Sequence, residues 1–362
     1  MRDGVSTVAS FPGPNGYHNA IYRQPIGVVA AFTPWNFPIA SPSRKVGGAL
    51  GAGCSIILKA SEDVPAGAFE LTRAFADAGL PAGVLNLVYG DPAEVSEYLI
   101  AQPEVRLVTF TGSVPVGKHL SALAGSHMKP VIMELGGHSP VFVSATADVD
   151  AAAQISVAVK AVNAGQMCVS PTRFYVEDAV YDRFATQLTE RAAALKVGNG
   201  LDPETEMGPL INRRRLEAVE TLVDDAKAAG ARLLTGGSRI GNRGFVYPLT
   251  VLKDIPETAR IMREEPFGPV ALLNRVASVE EAVERANKVS YGLAGYAFTR
   301  SAHDIKVLTD KLEVGNLAIN HLASSTPDVP FGGVKDSGYG REGGVEGLLG
   351  YTVVKTVSTL LS

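Results

Sequence analysis

At 362 residues the chain is long enough for two domains, and its 46% hydrophobic, 19% charged composition is that of a globular protein, with 38 Gly and 22 Pro scattered rather than clustered. A net charge of −4 gives no electrostatic reason for nucleic acid or an anionic membrane as partner. No apolar run approaches the roughly 18 residues that cross a bilayer, Met1-Arg2-Asp3-Gly4 lacks the apolar core of a secretory signal, and two cysteines suit free thiols in a reducing, cytoplasmic setting.

In chain order, the first half alternates β-rich and helical runs, the pattern of a parallel sheet covered by helices. Strands are expected at Ile26–Phe32, Ser55–Lys59, Val84–Val88, Leu107–Phe110 and Val131–Leu135. Helices are expected between them at Ser43–Ala52, Ala66–Ala78, Ala93–Ala101 and Val116–Ala124. Several of these strands end in Gly, Pro, Ser or Asn clusters, where open α/β sheets carry their ligands. A second α/β set follows, with helices at Ala151–Ala164, Ala179–Leu195, Arg213–Ala229 and Val279–Lys288, and strands at Val270–Leu273, Gly295–Thr299 and Asn316–Asn320. The junction near Gly136-Gly137 reads as the domain boundary. Tyr351–Leu360 is β-rich with no evident place in either core, and is expected to pair with a neighbouring subunit. There is no internal repeat and no long linker.

Several segments carry candidate chemistry. Phe110-Thr111-Gly112-Ser113-Val114-Pro115-Val116-Gly117 follows a strand and opens a helix. Gly112 lets the backbone approach a phosphate, and the helix start offers unpaired N–H groups, although the usual Gly-x-Gly-x-x-Gly fingerprint is absent and such a turn is often only a turn. Lys59-Ala60-Ser61-Glu62 sets an ammonium and a carboxylate at another strand end, which an ordinary surface charge pair would explain equally well. Cys54 sits in an apolar context and reads as structural. Cys168 ends Asn163-Ala164-Gly165-Gln166-Met167-Cys168, a Gly-containing turn with no histidine nearby, so a Cys/His hydrolase is not signalled there. Glu134 closes an apolar strand beside glycines, either as a solvated strand end or as a buried general base of raised pKa. Asn36 lies between two prolines in Thr33-Pro34-Trp35-Asn36-Phe37-Pro38, an ordinary turn residue or an aimed oxyanion donor.

Taken together and in order, these segments resemble the aldehyde dehydrogenase superfamily over essentially the whole chain. The matching motifs are Pro34-Trp35-Asn36-Phe37-Pro38, Lys59-Ala60-Ser61-Glu62, Phe110-Thr111-Gly112-Ser113, Glu134-Leu135-Gly136-Gly137, Asn163 to Cys168, Glu265-Pro266-Phe267-Gly268-Pro269 and Pro330-Phe331-Gly332-Gly333-Val334-Lys335-Asp336-Ser337-Gly338. The spacings agree with the family too: 34 residues from Glu134 to Cys168 and 97 from Cys168 to Glu265.

The resemblance implies a Rossmann-like cofactor domain over 26–136, an α/β catalytic domain over 137–350, and oligomerisation segments in a hairpin at 1–25 and a strand at 351–362. It implies oxidation of an aldehyde to its acid through a thioester on Cys168, with the oxyanion held by the Asn36 amide and the Cys168 backbone N–H, and with Glu134 activating water for hydrolysis. Cofactor contacts would come from Thr33, Pro34, Trp35, Lys59, Ser61, Glu62, Gly112, Ser113, Leu135, Glu265 and Phe267, and no metal is implied. Glu62 favours NAD, with NADP the second choice because Lys59 offsets part of the repulsion of a 2′-phosphate. The flavour is that of succinate-semialdehyde-type enzymes: Arg44 matches one of their carboxylate-binding arginines and Ser325 falls near their pocket serine, whereas Val162 stands where they carry a second arginine. A homodimer or homotetramer follows by the same resemblance. His138 stands where the family usually has Lys or Asn, and reads as a solvated or packing histidine. The Asn36 motif comes early, since family members usually carry roughly a hundred more residues before it, so the cofactor domain is expected to lack its N-terminal part. Two other readings remain: an acylating enzyme that releases its thioester to coenzyme A, against which Glu134 argues, and a non-catalytic relic that assembles with other subunits.

Overall fold

A computed structural model describes residues 6–360. Residues 1–5 and 361–362, which the terminal segments 1–25 and 351–362 include, lie outside them. In chain order the strands and helices are β1 (Ser6–Pro12), β2 (Tyr17–Pro25), β3 (Val28–Phe32), α1 (Ala40–Gly51), β4 (Ser55–Lys59), α2 (Pro65–Asp77), β5 (Leu85–Val88), α3 (Pro92–Ala101), β6 (Val105–Thr111), α4 (Val114–Ser126) and β7 (Val131–Glu134). They continue with β8 (Pro140–Val143), α5 (Val149–Ala161), β9 (Arg173–Glu177), α6 (Asp178–Ala194), α7 (Arg213–Ala228), β10 (Arg232–Thr235), β11 (Thr250–Lys253), β12 (Val270–Val276), α8 (Val279–Asn287), β13 (Ala294–Phe298), α9 (Ala302–Lys311) and β14 (Asn316–Ile319). The chain closes with β15 (Gly338–Tyr339), α10 (Gly344–Leu349) and β16 (Thr352–Leu360).

The chain divides into two compact units. The first runs to Leu135 and takes back Ser325–Gly332 and the chain from Gly338 onward; the second is Gly136–Ser324 with Gly333–Ser337. Residues 325–332 and 338–350, expected in the second domain, therefore fold with the first, because β15 pairs antiparallel with β7 there.

In the first unit one sheet has the order β15-β7-β6-β3-β4-β5. From β3 the chain winds outward through β4 and β5, then crosses to β6 on the other side of β3. That crossing is the switch point outside whose strand ends open α/β sheets bind ligands. Parallel strands of this kind are covered on both faces, which explains the near-continuous apolar runs. Val29, Ala30 and Ala31 are wholly buried, and burying a side chain such as Val29 contributes about 1.5–3 kcal/mol. A second sheet joins β1, β2 and β16. Tyr351–Leu360 thus has a place within its own chain: β16 pairs antiparallel with β2, from Thr352 opposite Pro25 to Leu360 opposite Tyr17, and stands at the outer edge of that sheet. The partner strand is polar and lies hundreds of residues away, so nothing local announces the pairing.

The second unit holds a seven-stranded sheet among the described residues, in the order β10-β11-β12-β9-β8-β13-β14, parallel except for the β10–β11 pair. Of its strands, β8, β9, β10 and β11 were not anticipated; they are short and bury nearly all of β8, β9 and β11, so they lack the alternation that marks a half-buried strand. The helix expected over Ala151–Ala164 stops at Ala161. Asn163, Ala164 and Gly165 instead take left-handed backbone, with φ of 50°, 51° and 68°. That conformation strains Asn and especially Ala, and it turns the chain sharply just before Cys168.

Candidate active site

In the first unit, Thr33 follows β3 and donates its N–H to the Lys59 carbonyl at 3.1 Å, tying two strand ends side by side. Pro34 to Phe37 then bend into α1, with half-buried Asn36 in the bend. Lys59 closes β4; its buried ammonium meets the exposed Glu62 carboxylate at 2.5 Å, and that bond holds the Glu62 carboxyl below its ordinary range. The Ser61 hydroxyl accepts the Asp63 N–H, shaping the turn between them. After β6, Gly112 donates its N–H to the Glu134 carbonyl at 3.1 Å. A Cβ on Gly112 would strike the Phe110 ring at 2.3 Å, so any larger residue in this close turn would have to displace that ring. Ser113 stands at the N-cap of α4 without a side-chain cap, which leaves the first N–H groups of a 13-residue helix to an outside acceptor. A glycine cradle, an open helix start and the Lys59–Glu62 pair, all at the carboxyl ends of neighbouring strands, fit a dinucleotide. Leu135 is buried against Gly117 of α4.

Glu134 ends β7 and is 3% exposed, and neither carboxyl oxygen has a hydrogen-bond partner among the described residues. Burial pushes its pKa well above the usual carboxylate range; the like charge of Glu342 pushes the same way, and Lys45, Arg341 and Arg44 pull back. Glu342 is itself held by Lys45, a wholly buried ammonium on α1 at 2.7 Å that also donates to Thr109 Oγ1 at 3.0 Å. The sequence reading missed Lys45 and Glu342. The available signal was a lone lysine on the apolar face of α1, between Pro42 and Val46. On the same helix half-buried Arg44 donates to the Ser325 hydroxyl and lies 4.9 Å over the Phe331 ring, so the two residues named for the substrate meet.

In the second unit, Cys168 is half-buried, in no disulfide, and stands at the end of the left-handed turn. Gln166 braces the turn: its Oε1 accepts the Ile211 N–H at 2.9 Å and its Nε2 donates to the Asn163 carbonyl at 2.9 Å. The Tyr296 hydroxyl donates to the Val169 carbonyl at 2.7 Å, just past the thiol. Two glycines permit the closest approaches. A Cβ on Gly137 would stand 2.2 Å from the Cys168 carbonyl oxygen, and one on Gly165 would stand 2.3 Å from that of Gly268. The Gly137 N–H donates to Glu265 Oε1 at 3.1 Å. The surroundings strip water from Glu265 and push its carboxyl pKa to about 8, while that N–H, Arg215 and Lys160 pull down. Phe267, two residues on, has a left-handed φ of 43°. Val162 is 52% exposed.

His138 is buried, with Nε2 bonded to the Ile261 carbonyl at 3.0 Å, which settles it as a packing residue rather than a solvated one. Burial holds its pKa well below the ordinary imidazole value, and the neighbouring Arg173 adds to that. Cys54 is buried and donates to the Tyr351 carbonyl, as its apolar context implied.

The model of the aldehyde dehydrogenase family matches residues 3–357. The chain belongs to this family. It is 48% identical over 328 residues to 4-(hydroxymethyl)benzenesulfonate dehydrogenase TsaD1 of Comamonas testosteroni, covering 91% of this chain and 68% of that protein. It is 41% identical over 335 residues to the NADP(+) succinate-semialdehyde dehydrogenase GabD of Escherichia coli K12, covering 92% and 69%. Among solved structures, a succinate-semialdehyde dehydrogenase from Burkholderia pseudomallei matches with a TM-score of 0.95 at 40% identity, covering 98% of this chain and 74% of that one. This aldehyde dehydrogenase therefore has the α/β fold of its family and oxidises an aldehyde with a nicotinamide dinucleotide. No helix among the described residues is long and apolar enough to cross a membrane.

Proposed function

We propose that the enzyme oxidises an aldehyde carrying a second, anionic group, through a thioester on Cys168, with NAD as cofactor. Cys168 attacks the aldehyde carbon as thiolate. The Asn36 amide and the Cys168 backbone N–H hold the oxyanion that forms. A nicotinamide held by the contacts named below would supply the hydride acceptor for that carbon, and Cys168 is left carrying the acyl group as a thioester. Glu134 then takes a proton from water, whose oxygen attacks the thioester and returns the thiolate as leaving group. The observation that carries this reading is Glu134: a buried carboxyl of raised pKa with both oxygens unpartnered is what a water-activating base needs. It also separates hydrolysis from release to coenzyme A, which requires no such base. Limited iodoacetamide treatment with peptide mapping tests the nucleophile. Label reaches Cys168 first and abolishes oxidation, whereas first labelling at buried Cys54 with loss of activity would overturn the assignment.

Thr33, Pro34, Trp35, Lys59, Ser61, Glu62, Gly112, Ser113, Leu135, Glu265 and Phe267 are the proposed cofactor contacts. Glu62 supports NAD over NADP because its carboxylate would repel a ribose 2′-phosphate, and Lys59 is already engaged by it. For the substrate, Arg44 supplies the cation. Its guanidinium is fixed by Ser325 and the Phe331 face, and a planar fork pre-oriented in this way suits a carboxylate or sulfonate. Both named relatives are named for compounds that carry such a group. The test compares succinate semialdehyde and 4-formylbenzenesulfonate with butanal. The anionic aldehydes have the higher kcat/KM, and Arg44→Leu cuts that preference by about 1–3 kcal/mol. Equal kcat/KM on the parent enzyme would leave a general aliphatic dehydrogenase.

The same reading makes the enzyme a cytoplasmic homodimer or homotetramer. Two cysteines in no disulfide suit a reducing compartment, and the outer strand β16 exposes Val353, Val354, Val357 and Leu360 along an open sheet edge.

A further inference from the structure

Lys160 is the penultimate residue of α5 and is 2% exposed. Its ammonium donates to Ser170 Oγ and to Thr172 Oγ1, each at 3.1 Å. Thr172 Oγ1 in turn donates to the Ser170 carbonyl at 2.9 Å. The side chain thus runs as a chord from the helix before the Cys168 turn to the segment after it, and the left-handed residues 163–165 lie within the loop it closes.

Burying an ammonium here is costly. Desolvation brings the Lys160 pKa down to about 7, and Glu265 is the group that favours its charged form. The other titratable neighbours give it no help: Arg215 lies by Glu265, and His138 is neutral and feels Lys160 as a repulsive charge. Packing alone does not call for a lysine. Val157, Ala161 and Ala164 belong to the surrounding hydrophobic core, where an apolar side chain of the same length would cost less. The lysine stands where it spans the turn that carries the thiol.

We propose that Lys160 is a positioning residue that closes the Cys168 turn through Ser170 and Thr172. This rests on the reading of Cys168 as nucleophile. The clamp keeps the strained turn from relaxing toward ordinary helix or extended backbone, and so fixes the direction of the thiol.

Two variants break the clamp from either end. Lys160→Met removes the charge at similar length, while Ser170→Ala combined with Thr172→Val keeps the charge and removes its acceptors. The readouts are the burst rate of reduced cofactor at saturating cofactor, the iodoacetamide rate at Cys168, the cofactor KM and the melting temperature, with rates taken well below melting. Both variants slow the burst and the alkylation by roughly tenfold, the scale of a lost charge-assisted bond. The cofactor KM stays at its parental value in both, because the clamp acts on the thiol turn; a KM that rises while the burst rate holds would also overturn the proposal. Parental burst and alkylation rates in both folded variants, even with lowered melting temperatures, would reduce Lys160 to a structural residue and overturn the proposal. If Lys160→Met does not fold, the paired variant decides by the burst and alkylation rates alone. The nucleophile reading fails separately: label on the parent away from Cys168, or a burst that survives Cys168→Ala.

Discussion

Glu134 in the first unit and Glu265 in the second are both carboxyls whose pKa burial drives upward, and they differ in what occupies their oxygens. Glu134 has no hydrogen-bond partner for either oxygen among the described residues, and its charge is managed from a distance by the Lys45–Glu342 pair and two arginines. One oxygen of Glu265 is fixed by the Gly137 N–H, and Gly136 leaves no room for a side chain beside the other, since a Cβ there would stand 2.6 Å from Oε2. Lone pairs left open and a raised pKa suit proton transfer, whereas an oriented carboxyl in a close-fitting backbone cradle suits recognition. Burial raises both, so the shift in pKa alone does not separate base from binder; the hydrogen-bond partners do.

If that division holds, the largest effect belongs to Glu134→Gln. Steady-state turnover falls by about 10²–10⁴-fold, the range for a lost general base, while a stopped-flow burst of reduced cofactor persists. Loss of the burst with the Cys168 thiol still reactive would place Glu134 earlier in the reaction. Glu265→Gln has a smaller effect in a different parameter. The cofactor KM rises by up to roughly tenfold, as for one hydrogen-bond acceptor lost, and the thioester still hydrolyses at its parental rate in single turnover. A hydrolytic defect in that variant would merge the two glutamates into one role.

The smallest effect is a shift in pH dependence. Glu342 raises the Glu134 pKa by like-charge repulsion, and hydrolysis needs the Glu134 carboxylate, so activity falls as pH drops through that pKa. Glu342→Gln removes the repulsion and frees Lys45 to favour the charged form, so the acidic limb of the hydrolysis rate moves to lower pH. A limb that stays in place or moves to higher pH would show that the pair does not tune Glu134.

How much of this is legible without the fold follows from range. The strand-turn-helix segments around Asn36, Lys59 and Gly112 are local, and their residues sit where the alternation of elements puts them. The chemistry around Glu134 is not local: Lys45 and Glu342 are 297 residues apart and meet only through the fold. The turn before Cys168 reads as helix because Ala164, a strong helix former, hides the left-handed signal that Asn163 and Gly165 can carry; contact of Gly165 with the Gly268 backbone and the side-chain braces from Gln166 and Lys160 impose it. Strand β16 is legible as a strand but its pairing is not, since its partner β2 lies at the other end of the chain.

The account depends most on Cys168 carrying the acyl group. Intact-mass and peptide mass spectrometry of Glu134→Gln, quenched in acid during turnover of succinate semialdehyde with NAD, tests this directly. The predicted result is a succinyl adduct confined to Cys168 that decays no faster than the variant turns over. Cys168 unmodified while reduced cofactor accumulates, or the adduct on Cys54, would contradict it.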